Sequence, residues 1–369
     1  MTLPRTLELL DQGRAAGWHL GGQLFVSRAG EAVADFAFGE ARTGEPMSRD
    51  HLMLWLSAGK PVTATAIGQL WERGLLGLDD PVARHVPEFA AGGKEAVTVR
   101  HLLTHTGGVR ALDLGWPRVS WDAIVAKVAA MKLEPRWVPG RKAGYHLSSS
   151  WFVLGEIVRR LDGRELSLYV REEIFLPLGM TDCWIGMPKE RFLSYGGRIA
   201  PVYETANDPA EYDWTDEAHL TEASPGANAV GPIAQLGLFY AALLSGGATG
   251  SERILRPQTV EALTARHRVG LWDHTLRHHL DWGLGFIVNS AYHAEETSPY
   301  GYGRHASLRA FGHSGYRSTV GFADPELDLV ICLAVNGTPS DDAHRERFNA
   351  LTGAIYEDLG LAGSSPAAG

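Results

Sequence analysis

The sequence predicts an α/β (α+β) fold in which a central antiparallel sheet is flanked by terminal helices and an all-helical lobe is inserted. Three observations predict it. β-Prone runs lie near both ends of the 369-residue chain, at 23–27 and 32–38 and again at 283–288, 318–323 and 329–335. Between them, residues 75–229 carry helical patterns with few strand signals. The first and last segments are themselves helical, so they can cover a sheet built from both ends. The expected division is 1–75 with 230–369 as a discontinuous sheet lobe and 76–229 as a helical lobe, with a site between them.

Residues 1–18 read as an amphipathic helix with Leu3, Leu7 and Leu10 on one side. Arg28-Ala29-Gly30-Glu31 separates the first two β-prone runs, and a glycine-containing turn of that length makes them a hairpin. A helix is expected at 57–73, ended by Gly74. Helices at 122–131 and 151–161 follow, the second stopped by Asp162-Gly163. Residues 187–231 are rich in Pro, Gly, Asp and Glu without a clear period, as in a loop or lid over a site. A helix at 233–244 stops at Gly246-Gly247, a last helix covers 341–359, and 363–369 reads as a frayed tail.

With 45% hydrophobic, 9% aromatic and 21% charged residues, the composition excludes a disordered, collagen-like or coiled-coil chain. The net charge is −9 and no run of Lys or Arg occurs, which argues against a nucleic-acid partner. No stretch of 18 apolar residues exists to span a membrane, and the N-terminus lacks the basic head and apolar run of a signal peptide. A cytoplasmic location is expected. Cys183 and Cys332 form neither a disulfide framework nor a metal spacing, and no cofactor or metal is expected.

Ser57-Ala58-Gly59-Lys60 is an S-x-x-K at the start of a predicted helix. Residues three apart share a helical face, so the Lys60 amine can reach the Ser57 hydroxyl. A hydroxyl becomes a nucleophile when a neighbouring base takes its proton, and lysine is such a base once its pKa is lowered. Pro61 fits the first turn of a helix. The four residues alone also fit an N-capping serine beside a solvated lysine, because S-x-x-K occurs by chance in a chain of this size.

The wider series decides. Ser57 to Ala64 is followed by Leu70-Trp71-Glu72-Arg73-Gly74, by Leu78-Asp79-Asp80-Pro81-Val82, and by Val97 to Gly108 with its His101-Leu102-Leu103-Thr104-His105-Thr106. In order and wording this resembles the serine β-lactamase and penicillin-binding superfamily, from about residue 22 to 359. The resemblance is nearest to the branch of class C β-lactamases, D-aminopeptidases and family VIII carboxylesterases, and it implies a β-lactamase-like fold. The family's second motif is Y-x-N after a Pro-Gly. Here Pro139-Gly140 leads to Tyr145-His146-Leu147, so the tyrosine is kept and leucine replaces the asparagine. The third motif, K-T-G, cannot be present, because no lysine follows Lys189. His313-Ser314-Gly315 stands in its place, similar to the H-x-G of esterase and aminopeptidase relatives.

The resemblance implies a site of Ser57, Lys60 and Tyr145, with His313, Ser314, Gly315 and Tyr316 on the facing strand. Ser57 would attack a carbonyl, Lys60 and Tyr145 would share the proton, and the amides of Ser57 and Tyr316 would hold the oxyanion. His313 would orient Tyr145 or the substrate. Loss of the asparagine and of the K-T-G cation favours ester over lactam or peptide. The expectation is a serine carboxylesterase taking a small-molecule ester. An acyltransferase, a D-amino-acid amidase or peptidase, a weak β-lactamase and a silent scaffold remain the alternatives.

Other readings of these residues are weaker. Gly312-His313-Ser314-Gly315-Tyr316 approaches the G-x-S-x-G elbow, but tyrosine takes the final glycine position and a strand follows where a helix is required. His101 and His105 have H-x-x-x-H spacing without the glutamate of H-E-x-x-H. His274, His278 and His279 lie in a polar stretch and are expected to be solvated. Trp272, Trp282 and Tyr316 are candidates for an acyl pocket, against the commoner role of aromatic residues as plain core.

Overall fold

The computed structural model describes residues 2–111, 113–207, 210–293 and 301–363. Strands from the two ends of the chain meet in one eight-stranded sheet. Its order is Asp281–Trp282, Ile287–Val288, Phe311–Gly315, Thr319–Asp324, Leu329–Val335, Gly21–Arg28, Glu31–Arg42 and Glu45–Pro46. Every neighbouring pair is antiparallel. The ends join where Gly22 pairs with Val335 and Arg28 with Leu329. The N-terminal hairpin turns through Ala29 and Gly30, both with positive φ (50° and 78°), the mirror-image turn that suits strand twist.

The all-apolar run Leu329–Val335 is buried on both faces of the sheet, which explains its lack of polar alternation. Leu329, Ile331 and Leu333 point with Leu24 and Val26 into a core shared with Leu3, Leu10, Phe348, Leu351 and Ile355. Leu3 caps the N-terminal helix Pro4–Ala15, which carries Leu10, and the other partners come from the C-terminal helix Asp341–Asp358. Val330, Cys332 and Ala334 face the other way, with Phe25, toward Leu236, Phe239 and Tyr240 of helix Ile233–Leu244. There Gly237 permits contact, since a Cβ on it would lie 2.1 Å from the Phe25 ring.

Helix Lys60–Glu72 is buried from Lys60 through Leu70, so it runs through the interior instead of along a surface. Its apolar residues share one core with Val97, Leu102 and Leu103, with Ile124 and Val128 of helix Trp121–Ala130, and with Phe152 and Ile157 of helix Ser149–Asp162. Gly163 closes the last of these at φ 90°. A three-stranded sheet of Met53–Leu56, Ala229–Gly231 and Trp184–Ile185 brings residues 226–229 beside the start of the interior helix.

Three expectations need correcting. The run 283–288 is not one strand: Asp281–Trp282 and Ile287–Val288 pair with each other around Gly283 and Gly285, the latter at φ 84°. Residues 187–231 are not structureless, since they hold helices Lys189–Tyr195 and Glu217–Thr221 and the strand Ala229–Gly231. The helix expected at 57–73 begins as a 3₁₀ turn, Ser57–Gly59, before the α-helix starts at Lys60. Of the expected tail, 364–369 lie outside the described residues.

Candidate active site

Ser57 owes its position to a strained residue. Strand Met53–Leu56 ends at Leu56 with φ 52° and ψ −132°, a conformation that costs a non-glycine residue on the order of 1–3 kcal/mol. The chain turns there, leaves the strand and presents Ser57 at the head of the interior helix. Gly59 allows that turn to sit against Ala229, whose Cβ would be 2.3 Å from any added methyl.

Lys60 has no exposed surface. Its Nζ donates to Ser57 Oγ at 2.9 Å and to the Gly226 carbonyl at 2.6 Å. Burial of the ammonium pushes its pKa well below the ordinary lysine value. A lysine so placed has a larger neutral fraction near pH 7, and the neutral amine can accept a proton from the hydroxyl it touches.

Tyr145 packs over the same lysine, with Lys60 Nζ 5.1 Å from the centre of its ring and 5.5 Å from that of Trp151. The tyrosine is 6% exposed. His105 lies behind it, ring centre to ring centre 4.6 Å, and Trp282 at 5.8 Å. His105 Nδ1 accepts the His146 amide at 2.9 Å, which leaves the neutral ring with its proton on Nε2. Burial first, then His146, Arg268 and Lys60, hold His105 well below the usual imidazole pKa.

The facing wall is strand Phe311–Gly315. A Cβ on Gly315 would lie 2.3 Å from the Trp55 carbonyl oxygen and 3.1 Å from Leu56 Cβ, so glycine lets this strand end press against the residues that lead into Ser57. His313 is 2% exposed and its Nδ1 donates to the Ser314 carbonyl at 2.8 Å. Burial, then the nearby Lys60, lower its pKa to about 3. His313 is therefore neutral and cannot replace the charge of a K-T-G lysine.

Ser57, Tyr145, His313, Ser314, Gly315 and Tyr316 line one cleft of about 340 Å³, and Lys60 lies directly behind Ser57. Leu147, 41% exposed, lines it too. Tyr316 forms a rim, half exposed and edge-on to Trp214 at 6.0 Å, which stacks on Tyr212 at 3.9 Å.

Several contributors were not legible beforehand. Gly226 enters through its carbonyl alone, which no side-chain pattern reveals. Thr275, Leu276 and His278 reach the cleft from the loop around Trp272–Asp273, and Asp341, His344 and Arg345 from the first turns of the C-terminal helix. His278 was expected in solvent and is instead part of the wall. Trp272 and Trp282 do not line it: Trp272 is 45% exposed, and Trp282 is buried behind Tyr145.

The nitrogens of the H-x-x-x-H pair do not converge. His101 Nδ1 accepts the Thr98 amide at 3.2 Å, while His105 Nδ1 is held by His146. Among the described residues, Asp213, Asp216 and His219 place their polar atoms within 4.8 Å of one another, but Asp216 Oδ1 already accepts both the amide and Nδ1 of His219.

The beta-lactamase family model matches residues 8–354. Esterase/beta-lactamase LipL of Mycobacterium tuberculosis is 29% identical over 90% of this chain and 80% of its own. A crystal structure of a family VIII carboxylesterase superposes with a TM-score of 0.80 at 28% identity, covering 97% of both chains. A penicillin-binding protein homolog from Caulobacter crescentus gives a TM-score of 0.76 at 31% identity, again over 97% of both.

Proposed function

The chain belongs to the beta-lactamase family and is a serine hydrolase, and we propose that it cleaves carboxylic esters of small molecules through an acyl-enzyme on Ser57. The observation that carries this reading is the buried Lys60 amine, 2.9 Å from Ser57 Oγ and 2.6 Å from the Gly226 carbonyl oxygen.

Neutral Lys60 takes the Ser57 proton as Oγ attacks the ester carbonyl. The Ser57 and Tyr316 amides stabilise the oxyanion, and donors so placed contribute on the order of 3 kcal/mol to the barrier. The tetrahedral intermediate expels the alkoxide, which receives the proton through the Lys60–Tyr145 pair. Water then attacks the acyl carbonyl, gives up its proton to the same pair, and Ser57 leaves with it. His313 supports the wall beside Tyr145 as a neutral ring.

Two features favour an ester. Leucine at 147 offers no amide to grip a peptide or lactam, and neutral His313 supplies no cation for a substrate carboxylate. An alkoxide also needs less protonation than an amine in order to leave. We further place the division of the chain at 1–75 with 230–369 against 76–229; the sheet's strands all come from 21–46 and 281–335.

The test compares hydrolysis of a short p-nitrophenyl ester by the protein and by Ser57→Ala and Tyr145→Phe, with circular dichroism to confirm folding. Ser57→Ala should abolish turnover, and Tyr145→Phe should slow both the burst and the steady state. Full turnover by folded Ser57→Ala would remove Ser57 from the mechanism.

A further inference from the structure

Asp273 has no exposed surface and takes no part in the chemistry above. Its Oδ1 accepts three backbone amides, from Tyr145 at 3.0 Å and from Thr275 and Leu276 at 2.9 Å each. Its Oδ2 accepts Arg268 Nη2 at 2.9 Å, and that arginine is also buried, with Nη1 donating to the Thr104 carbonyl at 3.2 Å. Ala143 and Asp273 form an isolated parallel bridge, and the His274 amide donates to the Ala143 carbonyl at 2.9 Å. On the other side, His105 takes the two flanking amides, Gly144 through its carbonyl and His146 through its ring, both at 2.9 Å. Three consecutive amides around Tyr145 are thus fixed by side chains and backbone from two distant segments.

A buried ion pair is a weak source of stability, because desolvation offsets most of its attraction. Its placement here has a clearer consequence. Tyr145, Thr275 and Leu276 all line the cleft. We propose that Asp273 is a positioning residue: one carboxylate oxygen sets the distance between the Tyr145 segment and the Thr275–Leu276 wall, and Arg268 balances its charge. An oxygen shared by three amides cannot move toward one without stretching the others. Placement of the phenol and shape of the substrate pocket are therefore coupled. The inference rests on the reading of Tyr145 as a proton carrier.

The test is a double-mutant cycle on p-nitrophenyl ester turnover. Asp273→Ala combined with Arg268→Met leaves no lone buried charge, and it should lower kcat by about 10-fold or more, the scale of a small misplacement of a catalytic group. In a Tyr145→Phe background the same pair should cost less than about 3-fold, because the group it positions is already gone. Asp273→Asn with Arg268→Gln keeps an acceptor oxygen on the three amides and should stay within about 3-fold of the unsubstituted protein. A purely structural role would cost the same in both backgrounds; that result, or an unchanged kcat in the Ala/Met variant, overturns the proposal. Full activity of Tyr145→Phe alone overturns the reading of Tyr145 and this inference with it, whereas equal costs overturn this inference only. Should the Ala/Met variant not fold, hydrogen exchange in the unsubstituted protein decides. After correction for their intrinsic exchange rates, the amides of Tyr145, Thr275 and Leu276 should show one common opening free energy, and three unrelated values contradict the shared anchor.

Discussion

Lys60 Nζ and Ser57 Oγ are 2.9 Å apart, and the same amine donates to the Gly226 carbonyl at 2.6 Å. Burial disfavours the charged form of this amine, so the free amine is poised beside the hydroxyl.

The first prediction follows from that shift. The base form of Lys60 is populated above its lowered pKa, so kcat/KM for an ester should rise with pH along a limb lying below the ordinary lysine value of about 10.4. Lys60→Arg keeps a cation that cannot lose its proton, and it should lower kcat by on the order of 10²–10⁴. A pH profile whose rising limb sits at the ordinary lysine value, or an active Lys60→Arg, would exclude Lys60 as the base.

The second prediction concerns acid stability. Burial is the first cause that lowers His19, His146, His313 and His344 to about 3 each. Unfolded histidine titrates near 6.5, so between those values the unfolded chain binds more protons than the folded one. Stability is thus full above about pH 6.5 and is lost as pH falls toward 3, at up to about 1.4 kcal/mol per pH unit for each ring. Thermal melts at fixed ionic strength should show Tm dropping from pH 6.5 downward. A flat Tm from pH 7 to pH 5 would refute the buried neutral rings.

The third prediction uses the tight approach of Gly315 to Trp55. A methyl placed 2.3 Å from a backbone oxygen cannot be relieved by a rotamer change, so the strand must withdraw from Leu56 and Ser57. Gly315→Ala should retain the fold and lose on the order of 10² in kcat, the cost of a displacement of about 1 Å at the oxyanion wall. Unimpaired turnover in that variant would show that the wall does not act on the reacting carbonyl.

Much of this was readable in the residues. The helix at 233–244 and the strand at 329–335 have the expected bounds, because long apolar runs between glycines or turns leave one solution. Ser57, Lys60 and Tyr145 were marked by spacing and motif order, and the structure brings them together. Other features were hidden for physical reasons. The break at Gly283–Gly285 needed the interior helix, since a Cβ on Gly285 would lie 2.4 Å from Ala64. Gly226, Asp273 and His278 act through backbone groups or through contacts more than a hundred residues away in sequence, where no local period reports them.

The most direct test of the central claim is intact-mass and peptide analysis of the protein quenched in acid during turnover of a p-nitrophenyl ester. The account predicts one acyl group per chain, carried on the peptide containing Ser57 and absent from Ser57→Ala. Turnover without any acylated protein, or an acyl group on a different residue, would contradict it.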